Sequence, residues 1–457
     1  MSLDTSFDIK NIICLYFYDL KNTINLYNLN KDHQNNIIIT NLFDIPIKYI
    51  NRLDQQIIEQ NKYKNVEKLD AATNEKIKNV NHMKKTLKIL DCTGRCGIDQ
   101  NGISELNLTE LNIDRNKKIK NVNHMKETLR KLECDSDSEL DQNGISELNL
   151  IELDLYGNNK IENVDYMKKT LKILRCGGYD KIDQNSILEL NLIELYVCNS
   201  KQIKNVNHMK NTLKILNCSC DCGIDQNGIS ELNLIELYAT GNEKIKNANH
   251  MKETLKILCC RYNSGIDQNG ISELNLIELH VDGNKKIQNV NHMKKTLKIL
   301  NCGWNCGIDQ NGISQLNLIE LNVYNNEEIK NVNHMKNTVK ILYCGCNCGI
   351  DQNGISELKL IELYAANNEK IENVNHMKKT IKKLDCSYSC GIDQNGISEL
   401  NLIELDASDN EKIENVNHMK KTIKKLDCCG NSGIDQNGIS ELNLIELCAF
   451  YNEKIKM

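Results

Sequence analysis

Apolar residues recur along most of this chain in one fixed frame. From Val66 to Leu444 the pattern L-x-x-L-x-(C/A/V)-x-x-N-x-x-I returns every 21 residues, which gives about 19 copies. The alternation of leucine with polar residues predicts a short strand with one face in the core. The later apolar residues, spaced three to five apart, suit short 3₁₀ or helical turns. Because each copy can bury its apolar face only against its neighbours, the chain is predicted to be a stacked array.

Two kinds of copy alternate along the array. Cysteine marks every second copy at an interval of 42 residues, at Cys92, Cys134, Cys176, Cys218, Cys260, Cys302, Cys344, Cys386 and Cys428. These odd coils are expected to turn cysteine inward as a small hydrophobe. The cysteines lie two strands apart, about 10 Å, which is beyond disulfide reach. Further cysteines, as in Cys218-Ser-Cys220-Asp-Cys222 and in the pair Cys302 and Cys306, are expected to alternate inward and outward, so no metal site is predicted. The motif asparagine is expected to form hydrogen bonds with the buried backbone of the loop. Asparagine occurs at this position more often in the coils without the cysteine, the even coils, than in the odd coils.

This frame resembles the leucine-rich repeat, and the likeness covers nearly all of the chain after the first 60 residues. The resemblance implies an α/β leucine-rich-repeat solenoid. We expect a curved parallel sheet on the concave side, turns or short 3₁₀ and helical segments on the convex side, and a small helical N-terminal cap. The predicted domains are residues 1–62, the cap, and residues 63–457, the array.

The N-terminal segment carries apolar residues at helical spacing. Part of it resembles the second half of an F-box, although the usual leading Leu-Pro is missing. The F-box family docks on the adaptor of cullin-type ubiquitin ligases, and the resemblance assigns docking and helix packing to Ile12, Ile13, Leu20, Ile24 and Leu26. The alternative is a cap that only covers the first coil. Together the two segments resemble the Asn- and Ile-rich leucine-rich-repeat proteins of giant DNA viruses and amoebae.

Composition narrows the class of function. The chain has 457 residues, 40% of them hydrophobic, and a net charge of −5, which argues against a nucleic-acid-binding scaffold. No apolar run approaches membrane-spanning length and no signal pattern opens the chain, so we expect a cytoplasmic protein, in the host cytoplasm if it is viral. No phosphate loop, nucleophile elbow or zinc-protease motif occurs, so neither an enzyme nor a cofactor is predicted. The histidines repeated in Asn-Val-Asn-His-Met are expected to be structural.

Variation between the copies concentrates at the outward strand positions and at the residues just after the strand. These positions favour Tyr, Trp and Arg, which are frequent in interface hot spots. Even coils also carry a repeated glutamate, from Glu110 to Glu446, which is either an acidic groove for a basic partner or a row that aids solubility. The predicted contact residues are Tyr238, Tyr262, His280, Asp282, Trp304, Tyr324, Tyr343, Tyr364 and Tyr388.

The predicted function is therefore a non-enzymatic scaffold that binds a protein partner on the concave face. One alternative is the substrate-recognition subunit of a cullin-type ubiquitin ligase, with the adaptor held by the F-box-like N-terminus. Another is a structural or decoy repeat protein without a specific ligand.

Overall fold

The computed structural model describes residues 39–43 and 52–456. These residues form two compact units, the first ending at Leu232 and the second beginning at Asn233. Both are built from the same coil of one strand, one tight loop and one short turn.

From Lys68 onward, short parallel strands follow one another at the 21-residue interval. Among the described residues, unit 1 holds β1 (Asn41–Leu42), β2 (Lys68–Asp70), β3 (Ile89–Asp91), β4 (Glu110–Asn112), β5 (Lys131–Glu133), β6 (Glu152–Asp154), β7 (Ile173–Arg175), β8 (Glu194–Tyr196) and β9 (Ile215–Asn217). The strands described in unit 2 are β10 (Glu236–Tyr238), β11 (Ile257–Cys259), β12 (Glu278–His280), β13 (Ile299–Asn301), β14 (Glu320–Asn322), β15 (Ile341–Tyr343), β16 (Glu362–Tyr364), β17 (Lys383–Asp385), β18 (Glu404–Asp406), β19 (Lys425–Asp427) and β20 (Glu446–Cys448). Within each unit, every strand pairs in parallel and in register with the next strand along the chain.

The rest of each coil is a 3₁₀ turn or a single helical turn. In unit 1 these are α1 (Gln55–Ile58), α2 (Gln142–Ile145) and the 3₁₀ turns Asn61–Tyr63, Asn81–Met83, Asn101–Ile103, Asn123–Met125, Asp165–Met167, Asn185–Ile187, Asn207–Met209 and Asn227–Ile229. In unit 2 the 3₁₀ turns are Asn249–Met251, Asn269–Ile271, Asn291–Met293, Asn311–Ile313, Asn333–Met335, Asn353–Ile355, Asn375–Met377, Asn395–Ile397 and Asn417–Met419. Parallel strands joined by such turns confirm the predicted leucine-rich-repeat solenoid.

Burial of the middle strand residue holds each coil to its neighbours. In β15 the central Leu342 and the following Cys344 are fully buried, whereas Ile341 and Tyr343 on either side are partly exposed. The same pattern recurs along both units, and all nine cysteines of the 42-residue series are buried. The prediction that leucine and cysteine form a shared apolar spine is confirmed.

The motif asparagine closes the loop of the preceding coil. Asn326 is 1% exposed, and its side-chain amide donates to the carbonyl oxygens of Cys302 at 2.8 Å and Ile308 at 3.2 Å. Its own side-chain oxygen accepts the backbone N–H of Glu328 at 3.0 Å. One side chain therefore satisfies three backbone groups that the strand and turn leave unpaired. The predicted asparagine ladder is confirmed.

The odd coils close their loops with a different residue. Four residues after each spine cysteine stands a buried Cys, Ser or Asp, and Ser264 Oγ and Cys348 Sγ both accept the backbone N–H two residues on, at 3.4 Å. Cysteine and serine are interchangeable here because both offer a small acceptor to that N–H. The expectation that pairs such as Cys302 and Cys306 alternate inward and outward is therefore wrong, since both are buried.

The repeated histidine binds the preceding turn. His292 Nε2 lies 3.1 Å from the Ile271 carbonyl oxygen, and partial burial lowers its pKa. Tyr166, which replaces histidine in one coil, donates its hydroxyl to the Ile145 carbonyl oxygen at 2.9 Å. Two chemically different side chains thus make the same bond, which supports the structural role predicted for the row.

Part of the predicted N-terminal cap lies within the described residues. Asp54 caps α1 by accepting the Ile57 N–H, and β1, which lies inside the predicted cap, pairs with β2. Ile12, Ile13, Leu20, Ile24 and Leu26 lie outside the described residues. None of the helices described is long and apolar enough to cross a bilayer.

Candidate functional site

The strand face of unit 2 is the surface on which the predicted contact residues lie. We define it as the first and third residues of strands β10 to β20, together with the two positions after each spine residue. Because the strands pair in register, these residues form straight columns, with Tyr343 of β15 directly opposite Tyr364 of β16. Strands in such a sheet are about 4.8 Å apart, so side chains in one column touch their neighbours.

Two aromatic pairs lie on this face between β13 and β16. The rings of Tyr343 and Tyr364 stack with centroids 4.3 Å apart and planes within 8°. The rings of Trp304 and Tyr324 meet at 5.5 Å with a tilt of 41°. The Cys346 thiol donates to the Tyr324 hydroxyl at 2.5 Å, and this bond, followed by burial, raises the tyrosine pKa to about 12. The sequence does not show these pairings, because the partners come from different coils.

Three of the predicted aromatic contact residues occupy a backbone position that normally suits glycine. Tyr262, Trp304 and Tyr388 have φ values of 54°, 53° and 58°, in the left-handed region, and each is 52% exposed. Gly241 and Gly283 occupy the same place in other coils, with φ of 66° and 67°. A bulky residue there costs about 1–3 kcal/mol of backbone strain. The coils therefore hold large rings outward against a local conformational preference.

A polar network surrounds His280 on β12. Its Nε2 donates to Glu278 at 2.5 Å, while Nδ1 accepts from Arg261 at 2.8 Å and lies 2.5 Å from the Asn301 side-chain nitrogen. The Arg261 guanidinium also lies 2.8 Å from Asp282, which is only 6% exposed. These partners orient the imidazole rigidly. Asp282, a predicted contact residue, lies buried beneath the surface as the partner of Arg261.

Most of the repeated glutamates on this face have a partner, either on their own strand or on a neighbouring one. Tyr238 donates its hydroxyl to Glu236 at 2.8 Å, and Tyr364 donates to Glu362 at 2.7 Å. In each case the donor lies two residues after the carboxylate, on the same face. The predicted row of glutamates exists in sequence, but these carboxylates are not equally available.

Glu320 differs from the other glutamates of the row. Asn322 takes the place of tyrosine or histidine on its strand, and no described residue donates a hydrogen bond to the Glu320 carboxylate or forms an ion pair with it. Burial, and then repulsion from Glu278 and Glu362, raise its pKa. Its strand neighbours at the same position are Ile299 and Ile341. An unpaired carboxylate thus stands between apolar side chains, close to the Trp304 and Tyr343 pairs.

Unit 1 has a different surface. Two of its exposed aromatic residues, Tyr156 and Tyr179, are 48% and 89% exposed and line an open groove that also holds Asp114. Burial, and then the neighbouring Asp135, raise the pKa of Asp114 to about 7. On β7 the Arg175 guanidinium lies 4.8 Å from the centre of the Tyr196 ring, a cation–π distance. None of the predicted contact residues lies in this unit.

Three solved structures are similar to this chain. The Rad7 and Elc1 complex of yeast is 16% identical, with 73% of this chain and 92% of that chain covered and a TM-score of 0.40. The TLR13–ssRNA13 complex is 15% identical, with 86% and 69% covered and a TM-score of 0.44. The functional domain of InlJ from Listeria monocytogenes, which includes a cysteine ladder, is 21% identical, with 71% and 74% covered and a TM-score of 0.44.

No protein-family model matches the sequence, and no curated protein sequence matches it. At these identities and scores the three structural likenesses carry no conclusion about what this chain binds.

Proposed function

We propose that the strand face of unit 2 binds a basic segment of another protein, without chemistry of its own. The observation that carries this proposal is the row of exposed rings at Tyr262, Trp304 and Tyr388, held in left-handed backbone. Strain of this kind persists only where the surrounding structure imposes it, and it clusters at functional sites. Large, partly exposed rings at fixed positions are the usual anchors of protein interfaces.

Charge on the same face favours a basic partner. Between β10 and β16 the strand face carries five carboxylates and one guanidinium. The five carboxylates are Glu236, Glu278, Asp282, Glu320 and Glu362, and the guanidinium is Arg261. The imidazole of His280 already serves as a hydrogen-bonding partner within this set. This excess of negative charge attracts a positively charged segment and disfavours an acidic one.

Glu320 is the carboxylate that a partner would engage first. Its tyrosine-paired equivalents already accept a hydrogen bond, whereas Glu320 has lost solvent without gaining a described partner. An arginine or lysine at this point would supply the missing donor, and the ring of Tyr343 borders the same space. A charge-assisted bond of this kind contributes about 1.5–3 kcal/mol. An apolar residue of the partner would cover Trp304.

A random peptide library displayed on phage tests the proposal. The library is selected on immobilised wild-type protein, and the recovered peptides are measured by titration against wild type, Glu320→Gln and Trp304→Gly. We expect the selected peptides to carry arginine or lysine beside an apolar residue. Both substitutions should weaken binding about tenfold or more, which is about 1.4 kcal/mol.

Glycine at position 304 separates binding from folding. Because Trp304 has a φ of 53°, glycine relieves strain there, so thermal stability should equal or exceed that of the wild type. Tyr156→Ala in unit 1 is the matched control and should leave peptide binding unchanged. Recovery of neutral or acidic peptides only, or equal binding by Trp304→Gly, would refute the proposal and favour the structural or decoy alternative.

The ubiquitin-ligase alternative rests on the N-terminal sequence resemblance alone, because Ile12, Ile13, Leu20, Ile24 and Leu26 lie outside the described residues. Recovery of a cullin-ligase adaptor that depends on residues 1–45 would support it. We also propose a cytoplasmic location, in the host cytoplasm if the protein is viral. All twenty cysteines that the structure describes are free thiols, as a reducing compartment keeps them.

A further inference from the structure

A second cluster of side chains on the strand face of unit 2 lies at strands β19 and β20, beyond the two aromatic pairs. Its donor atoms belong to Asp427, Cys429 and Cys448, all partly exposed, and they lie within 4.8 Å of one another. Asp427 and Cys448 are direct partners in the parallel register, so their side chains leave the same face side by side. Cys429 stands two residues after Asp427, and its sulfur is 3.0 Å from that of Cys448.

We propose that Asp427, Cys429 and Cys448 form a binding site for a zinc ion, with the fourth coordination position open to solvent. Two thiolates and one carboxylate are a donor set that zinc accepts, and catalytic and exchangeable sites commonly have three protein ligands. In a tetrahedral zinc site with bonds of about 2.3 Å, two thiolate sulfurs are about 3.8 Å apart. The two sulfurs therefore need to separate by less than about 1 Å, which small side-chain rotations provide at a partly exposed site.

The carboxylate of the cluster is already oriented. Asp427 Oδ1 accepts the Ser408 hydroxyl at 2.5 Å and the Cys429 backbone N–H at 3.2 Å. These bonds fix one oxygen and leave Oδ2 for the ion. Hydrogen bonds that orient a ligating group from behind are typical of metal sites and raise their affinity.

Neighbouring coils show what is unusual about this one. Asp385 and Asp406 occupy the same strand position as Asp427, and each is followed two residues later by a serine whose backbone N–H donates to its carboxylate, as the Cys429 N–H does to Asp427. In the β19 coil a cysteine, Cys429, replaces that serine, and β20 presents a second cysteine opposite Asp427. Neither Cys429 nor Cys448 belongs to the buried 42-residue series. Two independent departures from the repeat therefore bring thiols to one carboxylate.

The nearest lysine is directed away from the cluster. Lys425 lies 3.5 Å from Glu446 and 3.8 Å from Glu404. A divalent cation would supply the positive charge that the two thiols and the carboxylate lack, and the thiols would release their protons on binding it.

The site is reachable from solvent. It borders an open groove of about 330 Å³, lined among others by Asp406, Lys425, Asp427 and Cys448. An ion can therefore enter without unfolding the coil, and water or a partner's side chain can complete its coordination. The groove also reaches Tyr364 on β16, but the three proposed ligands lie on or just after β19 and β20, at least three strands beyond that ring. The metal site and the proposed peptide site can therefore be tested by separate substitutions.

Titration with Co²⁺ under a thiol-free reductant tests the site, because cobalt replaces zinc and reports its ligands by absorption. The full-length wild type should bind one Co²⁺ with visible bands of a tetrahedral centre and a near-ultraviolet thiolate-to-metal band, and Zn²⁺ should displace it. Cys429→Ser and Cys448→Ser should each weaken binding about 100-fold or more and remove most of the thiolate band. Ser408→Ala should weaken it about tenfold while keeping both bands.

The chain provides a matched control at Cys198 and Cys220. Their sulfurs are 3.4 Å apart, but among the described residues no carboxylate completes a three-ligand group with them. The double substitution of this pair by serine should leave the cobalt spectrum unchanged. Serine occupies the position of Cys429 in the preceding coil, at Ser408, so folding of Cys429→Ser is expected and is checked by circular dichroism. Absence of a thiolate band in the wild type, or its persistence in Cys429→Ser, would overturn the proposal.

Discussion

Removal of one ladder asparagine should destabilise unit 2 far more than its size suggests. In Asn326→Ala the Cys302 carbonyl keeps a second donor, the Cys306 thiol at 2.9 Å. The Ile308 carbonyl and the Glu328 N–H lose the partners that bind them at 3.2 Å and 3.0 Å. Each buried group left unpaired costs about 1–3 kcal/mol. Because the Glu328 N–H is only partly buried, we expect a total loss of about 2–4 kcal/mol.

The assay uses urea unfolding followed by fluorescence of Trp304, the only tryptophan in the chain. This residue is well placed, because its backbone N–H donates to the Tyr324 carbonyl of the coil that contains Asn326, at 2.8 Å. Amide exchange adds a local measurement and should show faster exchange at Glu328. Asn326→Asp separates the two roles: it keeps the acceptor for Glu328 but replaces the donor with a second oxygen, so it should also be destabilising.

The control is Asn275→Ala, whose exposed side chain reaches only the Glu273 carbonyl, at 3.5 Å. This change should cost less than about 0.5 kcal/mol, as exposed substitutions usually do. If Asn326→Ala were as mild as Asn275→Ala, then the buried bonds would not hold the coils together, and the account given of the fold would be wrong.

Three further results are expected. The Asp114→Asn variant should melt about 2–4 °C higher than the wild type at pH 8 and at the same temperature as the wild type at pH 4. The reason is that the pKa of the Asp114 carboxyl is raised from 3.8 to about 7 in the folded state, so the stability of the wild type falls as pH rises from 3.8 to 7. An equal gain in melting temperature at both pH values would contradict this. The pKa of His292 is lowered from 6.5, so stability falls as pH drops below that value. Replacement of His292 by tyrosine, the residue found at Tyr166 in the equivalent position of another coil, should make the melting temperature depend less on pH between pH 7 and pH 5. An unchanged dependence of melting temperature on pH would refute this prediction. A Cβ on Gly270 would lie 2.1 Å from a carbonyl oxygen of the preceding coil, so Gly270→Ala should lower the melting temperature. Gly270→Ser should lower it less, because Ser186, at the equivalent position of another coil, donates its hydroxyl to the corresponding carbonyl at 2.6 Å. A lower melting temperature for the serine variant than for the alanine variant would refute this explanation.

The apolar spine could be predicted because the regular spacing of apolar residues indicates which side chains are buried. Leu321 and Val323 alternate with the polar Glu320 and Asn322, and alternation in a strand fixes which side chains face the core. The role of Cys306 was missed because cysteine, serine and aspartate replace one another there, and only the hydrogen bond to backbone shows what they share. The special position of Glu320 depends on Asn322 not being a tyrosine, which has meaning only once the strand geometry is known.

One signal in the sequence could have revealed the strained aromatic residues. Trp304 and Tyr262 occupy a position where other coils carry glycine, such as Gly283. Glycine that recurs at one repeat position, among coils that carry bulky residues there, indicates a left-handed backbone, because only glycine adopts that conformation without strain. Residue type alone does not show the left-handed conformation, because glycine, polar and aromatic residues all occur at this position.

Loop closure in this array is reciprocal, and this limits how the gene can change. The Asn326 side chain of an even coil binds carbonyls of the odd coil before it, and the Gly349 N–H of the following odd coil donates to the Asn326 carbonyl at 2.8 Å. Duplication or loss of 42 residues preserves every such donor and acceptor. Duplication of only 21 residues would place two like coils together with mismatched loops. Lineages of this protein should therefore gain and lose coils in pairs.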